Sequence, residues 1–271
     1  MSAPREGHGR TAFVTGASAG IGRAFAEVLA ARGYDVVVTA RRADRLDRLA
    51  HDLSAAHGIR AVALPGDLAD PATPGRLCRA LADAGLTVDV LVNNAGYGVP
   101  GRYVATDWTA QRDFLQVLVT AVAELTHRLL PGMVDRRWGR VLNIASLAAL
   151  VPAAPGHTLY AASKAFLVKF SEALAGEVLA DGVHVTAVCP GFTHSEFHDV
   201  TGTRAQVRTM PAWMWSDARQ VAEEGYAAAM AGRPMVVTGR VNRALALGAK
   251  HLPEFAARAV IRRSASRYRK L

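Results

Sequence analysis

Seven short runs of β-branched and small apolar residues recur along the chain, separated by longer stretches whose apolar positions fall at helical spacing. The runs are Ala12–Thr15, Val36–Thr39, Ala61–Leu64, Val88–Val92, Val141–Ile144, Val183–Val188 and Met235–Thr238. They are almost continuously apolar rather than alternating, which is the mark of strands covered on both faces of a parallel sheet. Helices are predicted over Ile21–Ala31, stopping before Gly33, over Ala43–His57, stopping at Gly58, and over Pro74–Ala84, stopping at Gly85. Thr106 is expected to cap a long helical region that runs to about Leu130 and is stopped by Pro131. A further helix is expected over Thr158–Ala180, ending near Gly182. Strict alternation of strand and helix predicts an α/β fold: a doubly wound, parallel, seven-stranded sheet with helices on both faces and its sites at the carboxyl ends of the strands.

The chain has 271 residues, of which 51% are hydrophobic. That suits one large domain, here placed over residues 11–250, and excludes global disorder. The first ten residues are polar and are expected to form a disordered tail, not a secretory signal. No uninterrupted apolar run reaches the roughly 20 residues of a membrane-spanning helix. Cys78 and Cys189 stand far apart, without disulfide-framework or zinc spacing, which points to a reducing cytoplasm. The His, Asp and Glu residues show no metal-site spacing, so no metal is expected. One irregular stretch, about 192–215, is longer than an ordinary connection and is expected to be either a functional lid or a mobile loop.

The net charge of +9 is concentrated at one end. No acid follows Glu254, whereas Arg258, Arg262, Arg263, Arg267, Arg269 and Lys270 do. With Leu252, Phe255, Ala256, Ala259 and Val260 at helical spacing, residues 251–271 form a predicted basic amphipathic helix. Two uses stay open, packing on protein or peripheral contact with an anionic membrane surface. No zinc finger, RNA-binding signature or arginine–aromatic interleaving is present, so no nucleic-acid partner is expected.

The most informative local signal is Thr15-Gly16-Ala17-Ser18-Ala19-Gly20-Ile21-Gly22, which closes the first strand and opens the first helix. Glycines there let the backbone approach a pyrophosphate, and the helix N-terminus presents free N–H groups and a positive dipole end. The context predicts a dinucleotide site. The same residues match G-x-S-x-G, the nucleophile elbow of α/β-hydrolases, but that elbow needs strands and an oxyanion loop upstream, and here only a short polar tail precedes. Ser18 is therefore a turn residue or phosphate ligand. The second strand ends in Ala40-Arg41-Arg42, where an acid would bind the ribose hydroxyls of NAD. Arginine instead suits the 2′-phosphate of NADP(H), the alternative being two solvated residues at a helix start.

Tyr160 and Lys164, four apart in a helix, share one face. An ammonium beside a phenol lowers its pKa from about 10, and such a phenol can exchange a proton with a carbonyl or alcohol oxygen. Ser146, just beyond the fifth strand, is placed to hold that oxygen.

Jointly, these residues resemble the short-chain dehydrogenase/reductase family over nearly the whole chain. The resemblance rests on TGASAGIG at 15–22, Asp67, Asn93-Asn94-Ala95-Gly96, Ser146, Tyr160-x-x-x-Lys164 and Pro190-Gly191, in the family's order and near its spacings. It implies a single-domain Rossmann fold and a cytoplasmic NADP(H)-dependent oxidoreductase. Gly16, Ser18, Ala19, Ile21 and Gly22 would line the phosphates, Arg41 and Arg42 would meet the 2′-phosphate, and Asp67 and Leu68 would flank the adenine. Asn93, Ala95 and Gly96 would line the cleft, although Asn93 could instead tie strands together. Pro190, Gly191, Thr193 and Ser195 would border the nicotinamide. Tyr160 would be the acid/base, Lys164 its pKa-lowering partner and ribose ligand, and Ser146 the substrate-orienting hydroxyl. The resemblance also implies a homodimer or homotetramer.

Two positions depart from the family. Leu118 falls where an asparagine usually supports a water-mediated proton relay through the lysine, and the interval from Ser146 to Tyr160 is one residue longer than usual. Two readings follow: a working enzyme, or a catalytically degenerate NADP(H)-binding sensor or scaffold. Phe192, Phe197, Met210, Trp213, Met214 and Trp215, with Tyr97, Val99, Tyr103, Leu147 and Leu150, suggest either an apolar carbonyl or alcohol pocket or packing of the loop onto protein. His157 and His194 would lie near its rim.

Overall fold

The computed structural model describes residues 5–153, 155–156, 158–196, 201 and 211–251. The predicted tail helix, Phe197, Met210 and His157 lie outside them.

All seven predicted strands form: β1 (Thr11–Thr15), β2 (Asp35–Thr39), β3 (Ala61–Ala63), β4 (Val88–Asn93), β5 (Gly139–Ile144), β6 (Val183–Cys189) and, after a short pair β7 (Phe192–Thr193) and β8 (Trp215–Ser216), the edge strand β9 (Met235–Val237). Seven make one parallel sheet in the order β3-β2-β1-β4-β5-β6-β9. The order reverses between β1 and β4, so a crevice opens at their carboxyl ends. β7 and β8 form a separate parallel pair inside the stretch expected to be irregular.

Side chains alternate across this sheet and fill two cores. Val14, Val36, Val38, Val92 and Ile144 face α1 (Gly20–Ala31), α2 (Ala43–His57) and α7 (Ala218–Met230). Phe13, Val37, Leu91, Val141 and Val185 face α3 (Thr73–Asp83), α4 (Trp108–Leu115) and α5 (Ala121–Asp135), with Leu174 and Ala175 of α6 (Thr158–Val178) packed alongside. The chain's last described element is α8 (Arg240–His251).

Several local expectations are corrected. Residues 5–10, expected within a disordered tail, turn back onto the domain: Gly7 N donates to Arg32 O at 3.0 Å and covers the fully buried Tyr34. Asp107, not Thr106, caps α4, accepting from Ala110 N at 3.2 Å, because the Thr106 hydroxyl is committed to Tyr103 O. The long helix does not stop at Pro131. It continues through Pro131 to Asp135, with Met133 fully buried against Gly139. Between α4 and α5, Gln116–Thr120 widens into a π turn that the apolar pattern does not reveal. Taken as one helix, Trp108–Asp135 is long and apolar enough to cross a bilayer. The sequence criterion missed it because Arg112, Asp113 and Glu124 break the apolar run, while Phe114, Val117, Leu118, Ala121 and Leu125 spend its apolar stripe on the domain's own core.

Candidate active site

The glycine turn sits at the switch point. Gly16 has φ +66°, and a Cβ there would stand 2.8 Å from Ala95 Cα, so only glycine joins β1 to α1 in contact with the loop after β4. That loop is fastened from both sides. Asn94 Nδ2 donates to Thr15 O and Gly16 O at 2.9 and 3.2 Å, and Thr15 Oγ1 accepts from Asn94 N and Ala95 N. Neither Thr15 nor Asn94 was singled out in the sequence as a site residue, yet they hold the turn in shape; the repeated asparagine at 93–94 was the available signal. Ala19 caps α1 without any side-chain hydrogen bond, and the first turn carries no acid. The donor set therefore fits a dinucleotide pyrophosphate: unclaimed helix N-terminal amides, glycine approach and the Ser18 hydroxyl.

The predicted basic residues gather at the start of α2. Arg42 donates through Nη2 and Nε to Ser18 Oγ at 2.9 and 3.3 Å. Its Nη1 donates to Glu196 at 2.8 Å, and Arg45 Nη1 donates to the other Glu196 oxygen at 2.7 Å. Arg45 and Glu196 were not anticipated, although Arg45 lies one helical turn beyond Arg42. Arg41 is exposed and, with Asp67, bears on Tyr97, whose phenol is raised chiefly by burial. Asp67 is exposed while Leu68 is buried in the core, so of the two only the Asp67 side chain reaches the cleft surface.

Asn93 departs from its expected place along the cleft. It is turned inward, donating to Asn143 Oδ1 at 2.9 Å and Thr126 Oγ1 at 3.1 Å, and Asn143 in turn donates to Ser171 Oγ. Its strand-tying reading is the one realised, because the last residue of β4 points into the sheet face while the next two turn outward.

The serine, tyrosine and lysine come together beyond β5. The Ser146 hydroxyl stands near enough to the Tyr160 phenol to lower its pKa, and Ser146 Oγ accepts from Ala148 N at 3.1 Å. The extra residue before Tyr160 is thus absorbed without separating the pair. Lys164 is buried, its Nζ 5.7 Å from the Tyr160 ring centre and 2.7 Å from Ile144 O. Burial lowers Lys164 to about 8. Tyr160 is raised by burial, against the lowering effect of the Ser146 hydroxyl, so the expected depression of its pKa is not realised. Burial disfavours the phenolate, and the Lys164 ammonium is itself desolvated and engaged by Ile144 O.

Leu118 lies in the π turn, 1% exposed, its side chain 3.6–3.8 Å from where a Gly96 Cβ would be. It belongs to the same apolar cluster as Ala95, Leu159 and Tyr160, which is where a polar relay residue would have to stand.

Two loops close the far side. Leu147 N donates to Pro190 O at 2.8 Å, joining the loop after β5 to that after β6. A Cβ on Gly191 would overlap Asn242 Oδ1 at 2.3 Å, so α8 packs directly on this loop, and Asn242 is another residue the sequence did not single out. Thr193 is buried and donates to Gly191 O at 3.2 Å, and the Ser195 side chain lies against Gly20. Trp215 stacks on His194 at 4.7 Å and meets Phe192 at 5.7 Å, whereas Trp213 and Tyr103 are exposed.

The comparisons with known proteins bear on this arrangement. Residues 10–205 match the family model described as short chain dehydrogenase. The chain belongs to the short-chain dehydrogenase family. Among its relatives, Nodulation protein G of Rhizobium sp. (strain N33) is 39% identical over 208 residues, covering 75% of this chain and 81% of that protein. Sulfoacetaldehyde reductase of Chromohalobacter salexigens is 36% identical over 187 residues, covering 68% and 73%. Among solved structures, a short-chain dehydrogenase from Sphingobium yanoikuyae in complex with NADPH superposes with a TM-score of 0.77 at 29% identity, covering 93% of this chain and 94% of that one. The short-chain dehydrogenase family is a family of oxidoreductases, and the seven-stranded parallel sheet described above is the fold of its solved members.

Proposed function

We propose that this protein transfers hydride between NADP(H) and an apolar carbonyl or alcohol, with Tyr160 as the acid/base. The observation that carries the reading is the gathering of Ser146, Tyr160 and buried Lys164, its Nζ 5.7 Å from the Tyr160 ring centre, at the strand ends that also bear the glycine turn. The cofactor reading is supported by the Ser18–Arg42–Arg45 donor set, and by a similar protein solved with NADPH. Gly16, Ser18, Ala19, Ile21 and Gly22 would hold the pyrophosphate, Arg41 and Arg42 the 2′-phosphate, and Thr193 and Ser195 would border the nicotinamide. The bound cofactor supplies the hydride or accepts it. Ser146 orients the substrate oxygen. Tyr160, kept protonated by burial, donates its proton to that oxygen, which favours carbonyl reduction as the direction in which the tyrosine starts ready. Lys164, fixed by its bond to Ile144 O, keeps its ammonium 5.7 Å from the Tyr160 ring centre, where it favours the phenolate that remains after proton transfer. Phe192 and Trp215 supply apolar surface for the substrate. The sensor-or-scaffold alternative gains no support, since the reacting side chains are assembled.

The test is NADPH oxidation across a panel of aldehydes and ketones. Tyr160→Phe should lower kcat about 100-fold or more while leaving NADPH affinity within about twofold. Equal silence of wild type and variant, with NADPH still bound, would sink the enzymatic reading.

A further inference from the structure

The glutamate at the root of the loop after β7 occupies the middle of the site assigned above to the 2′-phosphate. Each Glu196 oxygen takes a separate guanidinium, Arg42 at 2.8 Å and Arg45 at 2.7 Å, while Arg42 simultaneously grips Ser18. Arg42, which caps α2, and Arg45 in its first turn, with a hydroxyl and a neighbouring helix N-terminus, form a donor set for a phosphate monoester. A carboxylate is the side chain that most resembles such a group in charge and acceptor geometry. The chain around it is held close: Ser195 Cβ would lie 2.8 Å from a Cβ at Gly20.

We infer that Glu196 is an internal competitor for the cofactor's 2′-phosphate, so that it sets how strongly this protein prefers NADP(H) over NAD(H). The inference rests on the NADP(H) reading. A dinucleotide without the extra phosphate leaves the Glu196 pairs intact. One that carries it must take Arg42 and Arg45 away from Glu196, exchanging a monoanion for a dianion on the same two guanidinium groups. Exposure makes the exchange feasible. The three side chains are 38–42% exposed, so each ion pair is screened by solvent and contributes modestly. That is weak enough for a phosphate to displace and large enough to change affinity severalfold. Both arginines hold the Glu196 carboxyl below its ordinary range, so the competing charge is present throughout the neutral region.

The test compares adenosine 2′,5′-bisphosphate with AMP by calorimetry on the full chain, in wild type and Glu196→Gln, so that nothing depends on turnover. Glu196→Gln should tighten the bisphosphate about three- to tenfold and leave AMP unchanged. Asp44→Asn, which removes an equal charge from the same helix start, should leave both unchanged. If wild type prefers the bisphosphate but Glu196→Gln binds it no better, or worse, the competitor role is overturned while the cofactor reading stands. Equal tightening by Asp44→Asn overturns it too, as a mere field effect. If neither wild type nor Glu196→Gln distinguishes the two ligands, the 2′-phosphate reading falls and the competitor with it.

Discussion

At the residue scale, Leu118 offers the sharpest test of the proposed turnover. Its side chain is buried in the apolar cluster that also takes in Ala95, Leu159 and Tyr160, at the position where the resemblance expects a polar group. Leu118→Asn should raise kcat severalfold by admitting a relay. It should also cost stability, about 2 kcal/mol, because an amide replaces a well-packed apolar side chain. Steady-state kinetics beside a denaturant titration reads both, and an unchanged kcat counts against the relay. Burial governs Lys164. Its folded pKa, about 8, lies below the unfolded value near 10.4, so between those pH values the unfolded chain binds the extra proton and wild-type stability rises with pH. Lys164→Met removes that dependence. Its stability advantage over wild type at pH 7 should shrink steadily towards pH 10, as measured by paired urea midpoints.

Elements were legible in the sequence to the extent that periodicity alone decides them. β-branched runs such as Val36–Thr39 can satisfy little but a buried strand, and each appears in the sheet. What escaped were features set by tertiary contact: the π turn at Gln116–Thr120, the passage of α5 through Pro131, and the β7–β8 pair. The site divides the same way. Tyr160, Lys164 and Ser146 announce themselves by residue type and spacing, whereas Asn94, Arg45, Glu196 and Asn242 act through partners distant in sequence, which no local pattern encodes. The turn between β1 and α1 is the element most constrained by its neighbours. Gly16→Ala puts a methyl against Ala95 backbone at positive φ, and should cost about 1–3 kcal/mol as well as abolishing dinucleotide binding. Thermal melts with and without NADPH would show a lowered Tm that the cofactor no longer raises.

At the scale of the whole molecule, the domain keeps its chemistry at one end of the sheet and its fastening at the other. Residues 5–10 belong to the fastening: Asp35 N donates to Arg10 O at 2.9 Å, and the Arg10 guanidinium lies 4.0 Å over the Trp138 ring. Deleting residues 1–9 uncovers Tyr34 and should lower stability by about 2 kcal/mol without changing the KM for NADPH, since the glycine turn is untouched. A shift in KM comparable to the loss of stability would show that the two ends are coupled.

The backbone bond from Leu147 to Pro190 also bears on how far the sequence of this rim can drift. It joins the strand end that carries the serine to the strand end that leads to Gly191 and Thr193, and it is made entirely of main-chain atoms. Side chains at 147 and 190 can therefore be exchanged without loosening the joint, proline at 147 excepted, because it alone removes the donor. Residue identity at this rim can vary while the strand ends that lead to Ser146 and Thr193 keep their spacing.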